Sequence, residues 1–108
     1  MTCNTNQPFT VQHCNTMQDV RAHIDALDAR IVALVAERSG YVAQAARIKQ
    51  NAEQIFDGAR IEAIIASVRA QAAAAGAPEA VMEATYRAMI GAFIDFERGE
   101  FTRLQQEG

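Results

Sequence analysis

A chain of 108 residues holds one domain, and half its residues are apolar while only 6% are aromatic and none is Trp. Alanine supplies much of that apolar half, which favours close-packed helices over a β-sandwich. A net charge of −3, an isoelectric point near 5.3 and the lack of a basic patch exclude an electrostatic nucleic-acid footprint.

Residues 1–16, MTCNTNQPFTVQHCNT, are polar and lack both the charged and the apolar stretch of a signal peptide, so they read as a flexible lead. No apolar run reaches the length of a membrane span, and a cytoplasmic protein without membrane partners is expected. Both cysteines, Cys3 and Cys14, fall in this lead. His13 beside Cys14 lacks the paired spacing of a metal site, so free thiols and no metal are expected. The helical domain then occupies residues 17–108, with Thr16 as N-cap of a helix opening near Met17.

That first helix dominates the sequence. Val20 to Lys49 contains no proline and one glycine, Gly40. Val20, Ile24, Leu27, Ile31, Leu34, Arg38, Tyr41, Ala45 and Ile48 recur in alternating steps of four and three, which is the seam of an amphipathic helix. At about 1.5 Å per residue the helix is roughly 45 Å long, whereas a globule of this size has a radius of gyration near 13 Å. One subunit cannot wrap such a rod, so pairing with a second copy is expected.

Arg38 breaks the apolar seam, and a buried guanidinium needs an anion. Lys49 follows eleven residues later, roughly three full turns, which places it on nearly the same side about 16 Å along the axis. Two cations facing one interior suit a small dianion. An internal carboxylate partner for Arg38 is the alternative reading. Arg21 is rotated by about 100° from this line and would serve the same pocket only from another subunit or angle.

The helical pattern fades between Gln50 and Glu53, and Asp57-Gly58 supplies a turn and an N-cap for a second helix. Ile61, Ile64, Ile65 and Val68 form its apolar stripe, and Gly76 marks its end after Ala75. A third helix is expected from about Pro78 to Gln105. Val81, Met82, Thr85, Met89, Ala92 and Phe96 make one stripe on it, flanked by Tyr86, Ile90 and Phe93. Glu97 shares the side of Ile90 and Phe93, either as a surface carboxylate or as a buried hydrogen-bonding group. The fold class is therefore all-α: three helices, the first very long, in one domain.

Arg38, Lys49, Arg60, Glu97 and Arg21 are the polar groups on inward-facing positions or within reach of them. No Ser-His-Asp or Cys-His pairing, metal-ligand set, P-loop or dinucleotide fingerprint accompanies them. Such a cationic pocket binds a polyanion, fixes its conformation and stabilises shifting charge, and it needs no cofactor.

The stretch IDALDARIVALVAERSGYVAQAARIK carries an Ile-x-x-Leu-Asp opening, then Leu-x-x-Glu-Arg, then a Lys eleven residues after that Arg. On these motifs, residues 17 to about 103 resemble the all-helical chorismate mutase family, which includes isochorismate pyruvate-lyases. The resemblance implies an intertwined homodimer with paired first helices and shared active sites. It implies that Arg38 and Arg60 hold substrate carboxylates, aided by Arg21 from the partner subunit. It further implies that Lys49 donates to the ether oxygen whose bond breaks and that Asp57 contacts the ring hydroxyl. Glu97 matches a position where many members carry a Gln that donates to the same ether oxygen. Glu at 97 can donate only when protonated, so turnover is expected to rise towards pH 5. Ile61 stands where bacterial mutases often place a Glu and lyase-type members an apolar residue, whereas Asp57 points back to the mutases. The expected activity is the rearrangement of chorismate to prephenate. The alternatives are cleavage of isochorismate to salicylate and pyruvate, or a non-catalytic helical dimer module.

Overall fold

The computed structural model describes residues 10–107, and Cys3 with the first part of the lead lies outside them. Within this range are three long helices and no strand: α1 (Met17–Ile48), α2 (Gly58–Ala75) and α3 (Glu79–Glu107). A short 3-10 turn, Ala52–Gln54, lies between α1 and α2.

The caps follow from local chemistry. Thr16 is extended, and its hydroxyl accepts from the Asp19 amide at 3.0 Å, which satisfies one of the free amides of the first turn. Asp57 does the same for α2 by accepting from the Arg60 amide at 3.0 Å. Gly76 ends α2 with φ 76°, a left-handed conformation that glycine adopts without a Cβ penalty. The amide of Ala77 reaches back to the Ala72 carbonyl at 2.8 Å, closing the helix end.

The first helix stops at Ile48, earlier than the expected Gln50 to Glu53. The reason is a competing side chain. The Gln54 Oε1 accepts from the Gln50 amide at 2.8 Å and the Asn51 amide at 3.4 Å, so these amides leave the helical ladder. The third helix runs one residue short of Pro78 at its start and two beyond Gln105 at its end.

The α2 and α3 helices form an antiparallel pair. Arg87 makes a bidentate contact with Glu62 near the start of α2, while Arg69 further along meets Glu79 and Glu83 near the start of α3. On α2 the expected stripe is buried or half-buried, with Ile65, Val68 and Ala72 innermost. On α3 the burial corrects the sequence reading. Val81, Thr85, Ala92 and Phe96 are exposed, and the flanking row is the packed one, with Ile90, Glu97 and Phe101 buried. The row through Ile90, Phe93, Ile94, Glu97, Phe101 and Leu104 has the helical period that meets the neighbouring helices.

Among the described residues, only the C-terminal part of α1 is held by the rest of the chain. Ala46 packs with Ile55 and Phe101, and Ile94 and Leu104 close around them. Arg38 lies against Phe93, so α1 and α3 run in the same direction where they touch. Every residue from Arg21 to Leu34 is exposed. The seam residues Ile24, Leu27, Ile31, Leu34, Tyr41 and Ile48 are each about half exposed or more. The result is a rod-like molecule of 58 × 28 × 19 Å with a radius of gyration of 17.8 Å, well above that of a globule this long.

Candidate active site

A cleft of about 300 Å³ opens between the C-terminal half of α1, the connector, the start of α2 and the middle of α3. This is the lower end of the range for small-molecule sites. Its walls are apolar: Val42, Ile55, Ile61, Ile64, Ile90 and Ile94. Its polar lining is Arg38, Lys49, Gln54, Asp57, Arg60 and Glu97.

Each polar group has a distinct reason for its position. Arg38 projects from the seam of α1 and rests its guanidinium carbon 4.8 Å from the centre of the Phe93 ring. That ring is in turn braced edge-on by Phe96, with centroids 6.1 Å apart and planes at 81°. A cation over a ring face gains about 0.5–2 kcal/mol without spending any N–H donor. The five N–H groups of Arg38 therefore remain available to an anion. The internal carboxylate partner considered for Arg38 is not found among the described residues.

Lys49 is the residue at which α1 ends, and its extended backbone turns the chain out of the helix. Its Nζ donates to Oε2 of Glu97 at 2.6 Å. The Glu97 side chain is 9% exposed and that of Lys49 26%, so the carboxylate is the buried partner and the ammonium faces the opening. An ammonium has three donors, so Lys49 can hold Glu97 and still offer an N–H to a ligand. Glu97 is thus the buried hydrogen-bonding group of the two readings, not a surface carboxylate.

Arg60 stands in the first turn of α2, where the Asp57 cap fixes its backbone. Its side chain is without a carboxylate partner among the described residues. Asp57 uses Oδ1 for the cap and keeps Oδ2 for other contacts. Ile55, 5% exposed, anchors the connector that carries Asp57 and Arg60 against α1 and α3. The hydrophobic anchor places the charges.

Five of the six residues singled out from the sequence therefore line one cleft: Arg38, Lys49, Asp57, Arg60 and Glu97. Arg21 does not. It lies seventeen residues before Arg38, about 26 Å along the helix, and is exposed. Phe93 as the seat of Arg38 and Gln54 as a lining group were not anticipated. The Asn51-x-x-Gln54 spacing, a capping-box pattern, was the available signal for the second. Cys14 is a free thiol and His23 is exposed, both away from the cleft. Among the described residues no group of three or more His, Cys, Asp or Glu side chains is arranged to hold a metal, and no helix is long and apolar enough to cross a membrane.

The cleft thus combines three cations with two carboxylates, one of them already committed to Lys49. That leaves Arg38 and Arg60 for a ligand with more than one negative group, and an ammonium beside a buried carboxyl for an atom whose charge changes. A search of curated proteins finds no match. A family profile described as Chorismate mutase type II matches residues 20–98, a span that contains α2 whole, nearly all of α1 and every polar residue of the cleft. The chain belongs to the chorismate mutase type II family.

Proposed function

We propose that the protein rearranges chorismate to prephenate in the cleft between α1, α2 and α3. The observation that carries this reading is the convergence of Arg38, Lys49 and Arg60 on one apolar-walled cleft, with no carboxylate among the described residues paired to either arginine. Chorismate carries two carboxylates and an ether oxygen. Arg38 and Arg60 hold the carboxylates, and the ring hydroxyl falls to Asp57. Lys49 donates to the ether oxygen.

The reaction is unimolecular: the ether C–O bond breaks as a C–C bond forms, with no proton transfer, covalent intermediate or cofactor. The protein's contribution is to freeze the compact pseudo-diaxial conformer and to stabilise the negative charge that grows on the ether oxygen. The apolar walls exclude water and strengthen both effects.

The exposed apolar seam of α1 supports a second part of the proposal. Two copies pair along this seam, and Arg21 of each reaches the cleft of the other. The pairing covers Ile24, Leu27, Ile31 and Leu34, which the other described residues leave about half exposed or more. Burying the exposed half of each such side chain contributes about 1 kcal/mol, which favours the pairing.

One observation favours a second reading, cleavage of isochorismate to salicylate and pyruvate. Ile61, next to Arg60, lines the cleft with an alkyl group where mutases often place a Glu. Asp57 in the same cleft favours the mutase.

A thermal melt with chorismate tests the shared core of these readings. Ligand at about 100 times its Kd stabilises the fold by about 2.7 kcal/mol, and Arg38→Ala should remove that gain. A melting temperature that does not move with chorismate, in a folded protein, would leave a non-catalytic helical module.

A further inference from the structure

The polar lining contains one group to which no role has been given. Gln54 sits at the end of the 3-10 turn and lines the same cleft as Lys49, Asp57 and Arg60. Its side chain is fixed by its own loop. Two backbone amides, those of Gln50 and Asn51, donate to one end of the carboxamide at 2.8 and 3.4 Å. Only the oxygen can accept, so the oxygen faces the loop and the NH2 group faces away from it. The NH2 has no acceptor among the described residues. The next residue, Ile55, is buried and pins the backbone, so neither end of Gln54 is free to wander. The cleft lining thus includes a neutral side chain whose oxygen is held by the loop and whose NH2 is unpaired among the described residues.

We infer that Gln54 is a substrate-binding residue whose side-chain NH2 donates to an acceptor oxygen, carboxylate or ring hydroxyl, of the anion held by Arg38 and Arg60. The inference rests on the chorismate reading and deepens it. Asp57, three residues on, cannot donate as a carboxylate, and Ile61 offers nothing. Gln54 is the remaining donor on the connector side. Because its oxygen is held by the loop, its donors lose little freedom when they bind, which favours affinity.

The substitution Gln54→Glu separates this role from loop building. A carboxylate keeps the acceptor that Gln50 and Asn51 need and has nearly the same shape, but it has no donor and carries a charge that repels a dianion. Gln54→Met loses donor and acceptor together. If Gln54 binds substrate, Gln54→Glu melts like the wild type while KM for chorismate rises about tenfold or more and kcat changes little, the pattern of lost uniform binding. Gln54→Met then shows a raised KM and a lowered melting temperature. If Gln54 only builds the loop, folded Gln54→Met, which removes the donor without adding a charge, has the wild-type KM, and the inference is overturned.

A titration followed by NMR keeps the test independent of turnover. The Gln54 side-chain NH2 signal, assigned by its loss in Gln54→Glu, should shift on adding chorismate. Succinate, a plain dicarboxylate, serves as second probe. A shift with succinate but no response to chorismate supports Gln54 as an anion donor and sinks the chorismate reading. Turnover of chorismate with an unmoved Gln54 signal sinks the Gln54 inference alone. No shift with either ligand overturns the inference for Gln54.

Discussion

Glu97→Gln probes the chemistry most sharply, because it changes one atom in a contact of known geometry. In the resting protein Lys49 donates to Glu97 at 2.6 Å, and the carboxylate is almost wholly out of solvent. Replacing it by a carboxamide keeps an acceptor for Lys49 but turns an ion pair into a bond from an ammonium to a neutral oxygen, at a cost of about 1 kcal/mol. For a domain of this size that lowers the melting temperature by roughly 4–8 °C. The gain is a permanent donor. If Glu97 acts on the ether oxygen, it does so only in its protonated form, whereas Gln donates at every pH. A hydrogen bond to developing charge supplies about 1.5–3 kcal/mol, which is roughly 10- to 100-fold in rate. The variant should therefore outpace the wild type by about tenfold or more at pH 8, with a flat profile from pH 5 to 8. Steady-state rates with chorismate across this range are the assay. A folded Glu97→Gln protein no faster than the wild type at pH 8 would refute a donor role for Glu97.

Lys49→Ala should lower kcat by about a hundredfold or more, the usual cost of a donor to a developing oxyanion, while the protein still folds. Circular-dichroism melts and gel filtration check this, and loss of the fold or dimer instead would make Lys49 structural. Arg21→Ala and Arg38→Ala should each abolish activity alone, yet an exchanged mixture should recover roughly a quarter of the wild-type rate, since half the dimers would have one intact site. No recovery after proven subunit exchange would contradict a shared site. At the α2–α3 surface, the hydrogen bonds from Arg87, joined at Glu83 by Arg69, hold the Glu62 and Glu83 carboxyls below the ordinary value of 4.5. Carboxyls lowered on folding stabilise the protein above that value, and the contribution is lost as the pH falls through their lowered values. Arg87→Ala should thus lower the melting temperature at pH 7, and the difference from wild type should shrink on acidification to about pH 3.

What could be read from the sequence was the part set by local chemistry and period. Thr16, Asp57 and Gly76 cap helices by rules that need no tertiary context, and they do so here. The eleven-residue step from Arg38 to Lys49 placed both in one cleft because helix geometry alone determines that relation. The end of α1 was misjudged because a side chain, Gln54, competes with the helix for the amides of Gln50 and Asn51. The packed face of α3 was misjudged for a different reason. Two adjacent apolar rows both have helical period, and only the neighbouring helices decide that Ile90 and Phe101 go inside while Val81 and Phe96 stay out. The seat of Arg38 on Phe93 is likewise a contact between helices far apart in sequence.

Whether this cleft converts chorismate to prephenate is decided by identifying the product. Purified protein is incubated separately with chorismate and isochorismate, and the products are separated and identified. Prephenate from chorismate, with little or no salicylate from isochorismate, is the result the account predicts. Salicylate and pyruvate from isochorismate with little prephenate from chorismate would contradict it and make Ile61 the decisive residue of the cleft. A folded protein that converts neither substrate would contradict it altogether.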